Sequence, residues 1–394
     1  MKATGIVAEY NPFHNGHAYQ IEEIKRQLQP DVIIAVMSGN FLQRGEPAIV
    51  DKWLRTEMAL RGGVDLVIEL PVLASTQPAD YFAQEAIQIL SALNIDSLSF
   101  GVEAGSQVDF IQGAKWLVNN EELISQKVKE TERFKLPYAQ QMESIIKEIA
   151  PSFPLDLNSP NNQLGFAYTK EIVRNHLDQK IELLPIIRKG AAYNERELTP
   201  NSQIGSATSI RLAMRSDKEI TNFIPKNALN VLKREYTPFV TWEDYFPYLK
   251  YQLLVQRKEN LREIYEMNEG LENRLKKHIK EANSFSAFMK KIKTRRYTQT
   301  RLQRLLTYVL LQSTREDVKK ALHKEPAIRV LGFSQKGQAY LSQQKHQLNQ
   351  PLIANVNQST KEIISFDILA GEIYQLGSRF IQKQDFTRMP VKID

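Results

Sequence analysis

The 394-residue sequence contains no cysteine, which excludes disulfides, iron–sulfur clusters, cysteine nucleophiles and cysteine-ligated zinc. It also lacks an apolar run long enough to cross a bilayer. The N-terminal stretch "MKATGIVAEYNPF" has too short an apolar segment for a signal peptide. We therefore expect a cytoplasmic protein without a membrane partner, and 42% hydrophobic and 25% charged residues are typical of a globular chain.

Several short motifs are missing as well. The sequence has no GxGxxG and no HExxH, and "GFSQKGQ" over residues 332–338 has Gln338 where a P-loop needs lysine. Only six histidines occur in the chain, yet His14 and His17 stand three residues apart in "NPFHNGHAY". This pair is therefore the first candidate for chemistry.

The first 225 or so residues alternate between strand and helix patterns. Short apolar stretches separated by helical ones are predicted as strands, namely "ATGIVAEY", "DVIIAVMSG", "VDLVIELP", "DSLSFG" and "IELLPIIR". This alternation predicts a parallel sheet with right-handed crossovers. Ligands bind at the carboxyl ends of the strands in such sheets. We therefore expect functional residues in 11–17, 38–46, 69–71 and 101–103.

The pattern changes after about residue 225. Up to about residue 322, glycine and proline are few and the apolar spacing is helical, as in "TWEDYFPYLKYQLLVQ", "LREIYEMNEGLENRLKKHIKEA" and "TRLQRLLTYVLLQ". A strand, "AIRVLGF", and a helix ended by Gly377 follow. We predict an α/β parallel-sheet domain over residues 1–225, an α-helical domain over 226–322 and a small α/β C-terminal region over 323–394.

The HxGH stretch at a strand-to-helix junction suits a phosphate site. A helix N-terminus carries unpaired N–H groups and partial positive charge, and Gly16 lets the backbone approach a ligand. His14 and His17 could then donate hydrogen bonds that stabilise charge on an attacked α-phosphate. A zinc pair needing a third ligand from elsewhere, or a surface turn, are the alternatives at this point.

A second element lies in "IGSATSIR", residues 204–211. Ser206, Thr208 and Ser209 stand at an expected helix start, and Arg211 follows one turn later. Hydroxyl groups with an arginine suit triphosphate oxygens. Taken alone, the same pattern is typical of an ordinary helix N-cap.

Together these residues resemble the HIGH-type nucleotidyltransferase superfamily. More closely, the chain is similar to the bacterial tRNA(Met) cytidine acetate ligases, through "GIVAEYNPFHNGHAYQI", "VMSGNFLQRGEPAIVDKW", "GVDLVIELP", "SPNNQLGFAY", "GSATSIR" and "KTRRYTQTRLQR". The resemblance implies a Rossmann-like nucleotidyltransferase domain. It also implies an enzyme that makes acetyl-adenylate from acetate and ATP and acetylates the wobble cytidine of elongator tRNA(Met), giving N4-acetylcytidine, AMP and pyrophosphate.

The resemblance also implies the residues that contact ATP. They are Val7, Ala8, Glu9, Tyr10, Asn11, Pro12, Phe13, His14, Asn15, Gly16, His17, Ala18, Tyr19, Gln20, Gly101, Asn161, Asn162, Arg188, Ser206, Thr208 and Arg211. Which of Asn161 and Asn162 makes the contact stays open. Mg2+ is expected to bind mainly through the phosphates, with no dedicated protein metal site. Arg44, in the loop after the second strand, is a candidate to neutralise acetate or phosphate, with a plain surface arginine as the alternative.

Positive charge is concentrated late in the helical region. The net charge is +7, and residues 274–304 hold eleven Lys or Arg and a single acidic residue, Glu281. Arginine and an interleaved aromatic residue suit RNA, although a solvated helix face is the alternative. We predict that tRNA, and not DNA, binds here through Lys290, Lys291, Lys293, Arg295, Arg296, Tyr297, Arg301 and Arg304.

Two other functions compete with the ligase. An adenylyltransferase for a phosphorylated metabolite would share the HxGH apparatus, but it would not need the basic helical region. A non-catalytic RNA-binding protein with a degenerate nucleotide fold would not need an intact HxGH.

Overall fold

The computed structural model describes residues 1–131, 138–157, 159–189, 198, 202–234, 237–268 and 270–394. Within them, one mixed sheet has the strand order β5-β4-β1-β2-β3-β6-β7, and β8 pairs with β6. The strands are β1 Ala3–Ala8, β2 Val32–Ser38, β3 Leu66–Leu70, β4 Ser97–Val102, β5 Glu182–Ile187, β6 Ile328–Phe333, β7 Leu352–Ile353 and β8 Val391–Lys392. The five strands predicted in the first domain are confirmed.

Strands β1 to β5 are parallel, as their composition predicts. Every residue of β2, "VIIAVMS", is buried, because helices cover both faces of the sheet. Ala3 pairs with Val32 in β2, and Thr4 pairs with Ser97 in β4, so β1 is central. The chain runs from β1 to β2 and β3 on one side and then returns to β4 on the other. The gap between β1 and β4 is thus the topological switch point, where ligands bind in this class of sheet.

Helices α1 to α10 surround the parallel sheet. Their bounds are α1 Asn15–Gln27, α2 Lys52–Arg61, α3 Val72–Ser75, α4 Ala79–Ala92, α5 Gln107–Asn119, α6 Glu121–Thr131, α7 Tyr138–Ile149, α8 Pro160–Arg174, α9 Ala207–Arg215 and α10 Lys226–Leu232. Helix α10 packs in the core formed by β1, α1 and α2, through Leu229 and Leu232. Helix α10, which begins just after the predicted boundary at residue 225, thus packs against the sheet domain.

The helical domain follows as α11 Trp242–Val255, α12 Lys258–Glu263, α13 Leu271–Ile279, α14 Phe285–Ile292, α15 Gln299–Leu311 and α16 Arg315–His323. The stretch with helical spacing from residue 261 to 282 contains the end of α12 and all of α13. Helix α12 ends at Glu263, and Gly270, with φ +78°, precedes α13 in a left-handed conformation that favours glycine. Phe41, from the loop after β2, packs inside the core of these helices.

The C-terminal region contains β6, α17 Gln335–Gln344, β7, α18 Ser365–Gln375 and β8. Strand β6 pairs antiparallel with β3, with Leu66 opposite Phe333. The region predicted as a separate unit over 323–394 therefore extends the first sheet. The α/β class with an added helical domain is confirmed. Among the described residues, no helix combines the length and apolarity needed to cross a membrane.

Candidate active site

A cleft of about 220 Å³ lies at the switch point, at the carboxyl ends of β1 and β4. The predicted residues that line it are Val7, Ala8, Glu9, Tyr10, Asn11, His14, Gly16, His17, Tyr19, Gln20, Arg44, Gly101, Asn161 and Arg188. Gln43, within the expected range 38–46, also lines it. Further lining residues were not singled out from the sequence, namely Phe82, Phe100, Leu164, Gly165, Tyr168, Ile186, Lys189, Ile204 and Ala207. Most of these are apolar side chains without a chemical motif, and they belong to elements far apart in sequence.

Backbone N–H groups set the tautomer of both histidines. The Gly16 N–H donates to Nδ1 of His14 at 3.0 Å, and the His14 N–H donates to Nδ1 of His17 at 3.2 Å. Each Nδ1 is therefore an acceptor, so the ring proton of the neutral form sits on Nε2. The two rings stack with centroids 3.8 Å apart. The pair presents two neutral Nε2–H donors to the cleft.

The environment also keeps both histidines uncharged. Burial, with help from the nearby Arg188 and Arg211, lowers the pKa of His14 to about 3. Burial, His14 and Arg188 lower the pKa of His17 well below its usual value. Neither ring gains a proton at neutral pH. Their chemistry is hydrogen-bond donation without a charge change.

The N-terminus of α1 does not offer the free amides that the sequence suggested. The Asn15 N–H donates to the Phe223 carbonyl at 2.9 Å, and the Gly16 N–H is taken by His14. A Cβ on Gly16 would lie 2.8 Å from Cε1 of His14. Gly16 thus makes room for the histidine ring, and the α1 backbone is a positioning element.

Four residues of the first motif lie outside the cleft lining. Phe13 is fully buried and packs on Tyr10, with ring centroids 5.1 Å apart. The Asn15 side chain donates to the carbonyls of Gln203 and Asn222, both at 2.8 Å, which fixes α1 to the segments before α9 and α10. Pro12, joined to Asn11 by a cis peptide bond, and Ala18 also lie outside the lining.

Helix α9 brings the later serine and arginine element to the same end of the sheet. Ser206 is buried and accepts from the Ser209 N–H at 3.0 Å, so its hydroxyl caps α9 instead of lining the cleft. Arg211 donates to the Asn11 carbonyl at 2.9 Å and reaches the Thr208 hydroxyl and Glu46 at 3.4 Å. Ala207, in the first turn of α9, does line the cleft.

The two adjacent asparagines have different surroundings. Asn161 lines the cleft, and its Oδ1 accepts from Arg188 at 3.3 Å. Asn162 is buried, accepts from the Glu103 N–H at 3.0 Å and donates to the Asp156 carbonyl at 3.1 Å. Asn161 therefore faces the cleft, while Asn162 holds the loop after β4.

Arg55 is a positioning residue that the motifs did not reveal. It is fully buried and donates to the carbonyls of Glu9 at 2.7 Å, Ser38 at 2.9 Å and Val50 at 3.1 Å, and also to that of Gly39. It thereby ties the ends of β1 and β2 together under the cleft. A signal was present, since Arg55 shares a helix face with the apolar Ala59.

The Arg44 loop rests on the helical domain. The Gly45 carbonyl accepts from the Trp242 indole at 2.9 Å and from the Thr307 hydroxyl at 3.1 Å. Gly45 has φ +69°, and a Cβ there would lie 2.2 Å from the backbone N of Arg304 in α15. This close approach requires glycine and places Arg44 beside the helices predicted to bind RNA.

The predicted RNA-binding residues do not all share one environment. Five are exposed on the end of α14 and the following loop, namely Lys290, Lys291, Lys293, Arg295 and Arg296. The half-buried Tyr297 ring packs under the Arg301 guanidinium, 5.0 Å from its centroid. Arg304 differs from them, because its side chain is only 12% exposed and pairs with Glu266 at 3.6 Å. Its part in RNA binding stays a prediction.

The described residues contain no cluster of three or more His, Asp or Glu that could hold a metal ion. The zinc alternative for His14 and His17 therefore has no third ligand in the described part of the chain, and each Nδ1 is already occupied. The surface-turn alternative is wrong, because His14 is only 4% exposed.

Known proteins resemble this chain over its whole length. The model of the HIGH Nucleotidyl Transferase family matches residues 1–388. The tRNA(Met) cytidine acetate ligase of Bacillus licheniformis is 40% identical over 409 aligned positions, covering 100% of this chain and 98% of that protein. The ligase of the same name from Lysinibacillus sphaericus is 42% identical, covering 95% and 94%.

Solved structures agree with the sequence relatives. Thermotoga maritima TmcAL without ligand superposes with a TM-score of 0.91 at 29% identity, covering 100% of both chains. The same protein bound with alpha-thio ATP gives 0.90. On these full-length matches, the chain belongs to the HIGH nucleotidyl transferase family and, within it, to the family of the tRNA(Met) cytidine acetate ligases.

Proposed function

We propose that this protein is an ATP-dependent ligase that activates acetate as acetyl-adenylate and acetylates the wobble cytidine of elongator tRNA(Met). The full-length relationship to ligases of that name carries the proposal. The neutral histidine pair in the cleft and the exposed basic segment of residues 290–296 support its two halves. An adenylyltransferase of small metabolites is not favoured by these relatives.

In the first step, an acetate oxygen attacks the α-phosphorus of ATP and pyrophosphate leaves. Negative charge grows on the phosphoryl oxygens, and Nε2–H donors that need no reorientation stabilise it. We assign this role to His14 and His17. We assign the β- and γ-phosphates to Arg211, Thr208 and the first turn of α9.

Acetate and ATP repel each other, so the site needs positive charge near the reacting atoms. We assign this task to Arg44, which lines the cleft beside Gln43. Arg44→Ala should lower acetate-dependent pyrophosphate release, and unchanged release would contradict the assignment.

Magnesium fits the site as part of the MgATP substrate. The described cleft lining holds a single carboxylate, Glu9, which is too few for a protein-only Mg2+ cage. The phosphates would supply most ligands, and the ion would neutralise their charge. The protein residues then orient the nucleotide and acetate.

In the second step, N4 of cytidine attacks the acetyl carbon of acetyl-adenylate, and AMP leaves. The exposed lysines and arginines between residues 290 and 296 are suited to phosphates of the anticodon stem-loop. Because elongator tRNA is the acceptor, we place the reaction in the cytoplasm.

The test is an incubation of the protein with ATP, labelled acetate and bulk tRNA. Label recovered as N4-acetylcytidine, together with AMP, is the expected result. Acetate-dependent pyrophosphate release without RNA labelling would instead indicate an adenylyltransferase. The absence of any turnover would indicate a non-catalytic RNA-binding protein.

A further inference from the structure

Glu9 is the lone carboxylate among the described residues that line the cleft. The other charged groups there, Arg44, Arg188 and Lys189, are cations that suit the anions acetate and triphosphate. A carboxylate repels those same anions. Its presence calls for a role other than binding them.

The Glu9 carboxylate is held in one place by the backbone of another loop. Its Oε1 accepts from the Gln43 N–H at 2.9 Å. The Glu9 carbonyl accepts from Arg55 at 2.7 Å, so the residue is fixed at both its main chain and its side chain. Within the described part of the chain, Oε2 has no hydrogen-bond partner, and it is the oxygen left to meet a substrate.

Charges on four neighbouring elements act on this carboxylate. Burial raises its pKa most, and Glu46 raises it further, whereas the Gln43 N–H, Arg44 and Arg211 lower it. Arg55 and the buried Tyr168 phenol also lie within electrostatic range. The net pKa is above the usual carboxyl value, which makes the ionised form a better base than an exposed glutamate.

The two histidines and the two buried tyrosines of the described lining are poor proton acceptors at neutral pH. Both histidines already use Nδ1 as an acceptor and have strongly lowered pKa values. Burial raises the pKa of Tyr10 and Tyr168, which keeps both as phenols. Glu9 is the one carboxylate in this described lining, and a carboxylate can accept a proton.

We propose that Glu9 is the general base of acetyl transfer, an inference that rests on the proposed function and extends it. As N4 of cytidine bonds to the acetyl carbon, the bond from that carbon to the adenylate oxygen breaks and AMP departs with its electron pair. N4 then carries an extra proton, which passes to Oε2 of Glu9. The products are N4-acetylcytidine, AMP and a proton that later reaches solvent.

The test separates the two half-reactions in Glu9→Gln. Glutamine keeps an Oε1 that accepts from the Gln43 N–H, but it cannot accept the proton. We expect acetate-dependent ATP–pyrophosphate exchange to fall far less than acetyl transfer. Single-turnover transfer from preformed acetyl-adenylate to tRNA should fall by roughly 10²- to 10⁴-fold, the usual contribution of a general base.

The pH profile gives a second readout that a purely structural role would not move. Wild-type transfer should rise with pH through the pKa of Glu9, and Glu9→Gln should lose that rise. Glu46→Gln should shift it to lower pH, because one of the charges that raise the Glu9 pKa is gone.

Three results would overturn the proposal. Equal loss of exchange and transfer in Glu9→Gln would assign the carboxylate to adenylation or to MgATP. Undiminished acetyl transfer in Glu9→Gln would show that Glu9 is not the base. Failure of the wild-type protein to acetylate tRNA would overturn the proposed function itself, and that result is recognised without any variant.

Discussion

At the residue scale, backbone amides decide which ring nitrogen of His14 and of His17 carries the proton. The peptide N–H groups at Gly16 and His14 occupy the Nδ1 atoms of the histidine pair, so only Nε2–H donors remain. The HxGH spacing is what allows both bonds, since each ring folds back on the first turn of α1. In this motif, the lack of a side chain at Gly16 makes room for the His14 ring.

The first prediction concerns this pair. His14→Ala or His17→Ala should slow acetyl-adenylate formation by roughly 10²- to 10³-fold, because one preset donor to the developing charge is lost. Binding to tRNA should be retained, as measured by filter binding. Adenylation by the wild type should also show no ionisation near pH 6.5, because burial lowers both histidine pKa values. Loss of RNA affinity with intact adenylation would refute the assignment.

The second prediction uses the two asparagines as a matched pair. Asn161→Ala should weaken ATP binding with little effect on stability, because its side chain faces the cleft. Asn162→Ala should destabilise the fold by about 1–3 kcal/mol, because the buried Asn162 side chain no longer bonds the Glu103 N–H and the Asp156 carbonyl. Calorimetric ATP titration and thermal unfolding measure the two effects. The reverse pattern would show that Asn162 is the ligand.

At the element scale, local patterns predicted the strands well but not their partners. "DVIIAVMSG" became β2, Val32–Ser38, because a short continuous apolar run is typical of a strand buried on both faces. "AIRVLGF" became β6 for the same reason. Its antiparallel pairing with β3 joins residues more than 250 positions apart, and no neighbouring residue encodes that contact.

The basic segment gives the third prediction. Replacing Arg295 and Arg296 by Ala should weaken tRNA binding and lower its salt dependence, because exposed cations release counterions from RNA. ATP binding should be retained. Arg304→Ala is the control at the same end of α15. It should reduce stability, since it breaks the pair with Glu266, without lowering the salt dependence. If tRNA binding by Arg304→Ala also showed a lowered salt dependence, Arg304 would be an RNA contact.

At the scale of the whole molecule, a buried ionic cluster joins the sheet to the C-terminal region. Lys52 Nζ lies 2.8 Å from both Glu69 of β3 and Asp385. Asp367 of α18 accepts from the Val72 N–H at 2.6 Å, at the start of α3. Burial and Glu69 raise the pKa of Asp367 to about 7, and burial and Asp367 raise that of Glu85 to about 7. Buried ionisable groups therefore join the C-terminal region to the sheet, and one of them, Asp367, has a pKa of about 7.

The fourth prediction follows from this cluster. Folded protein holds the Asp367 proton up to about pH 7, whereas the unfolded chain releases it near 3.8, so stability falls as pH rises between these values. Asp367→Asn keeps an oxygen that accepts from the Val72 N–H. The variant no longer loses stability through this group as the pH rises. The unfolding temperature of the variant relative to wild type should therefore increase from pH 5 to pH 8. Using the difference cancels the opposite contribution of the histidines, whose pKa values are lowered.

The control is Asp317→Asn, which alters the half-buried capping box at the start of α16 and none of the groups of this cluster. Its effect on the unfolding temperature should not grow across the same pH range. An Asp367→Asn difference that stays constant or shrinks toward pH 8 would contradict the raised pKa.

The sequence by itself determined the α/β class, the succession of strands and helices, and the HxGH phosphate motif. These depend on spacing between near neighbours, which sets the apolar face of each element and the caps at its ends. Only the tertiary structure decided that Asn161 rather than Asn162 faces the cleft, that Ser206 caps α9, and that the Arg304 side chain pairs with Glu266. Those outcomes depend on contacts between distant parts of the chain, where burial and partner atoms, and not residue type, decide what each side chain can do.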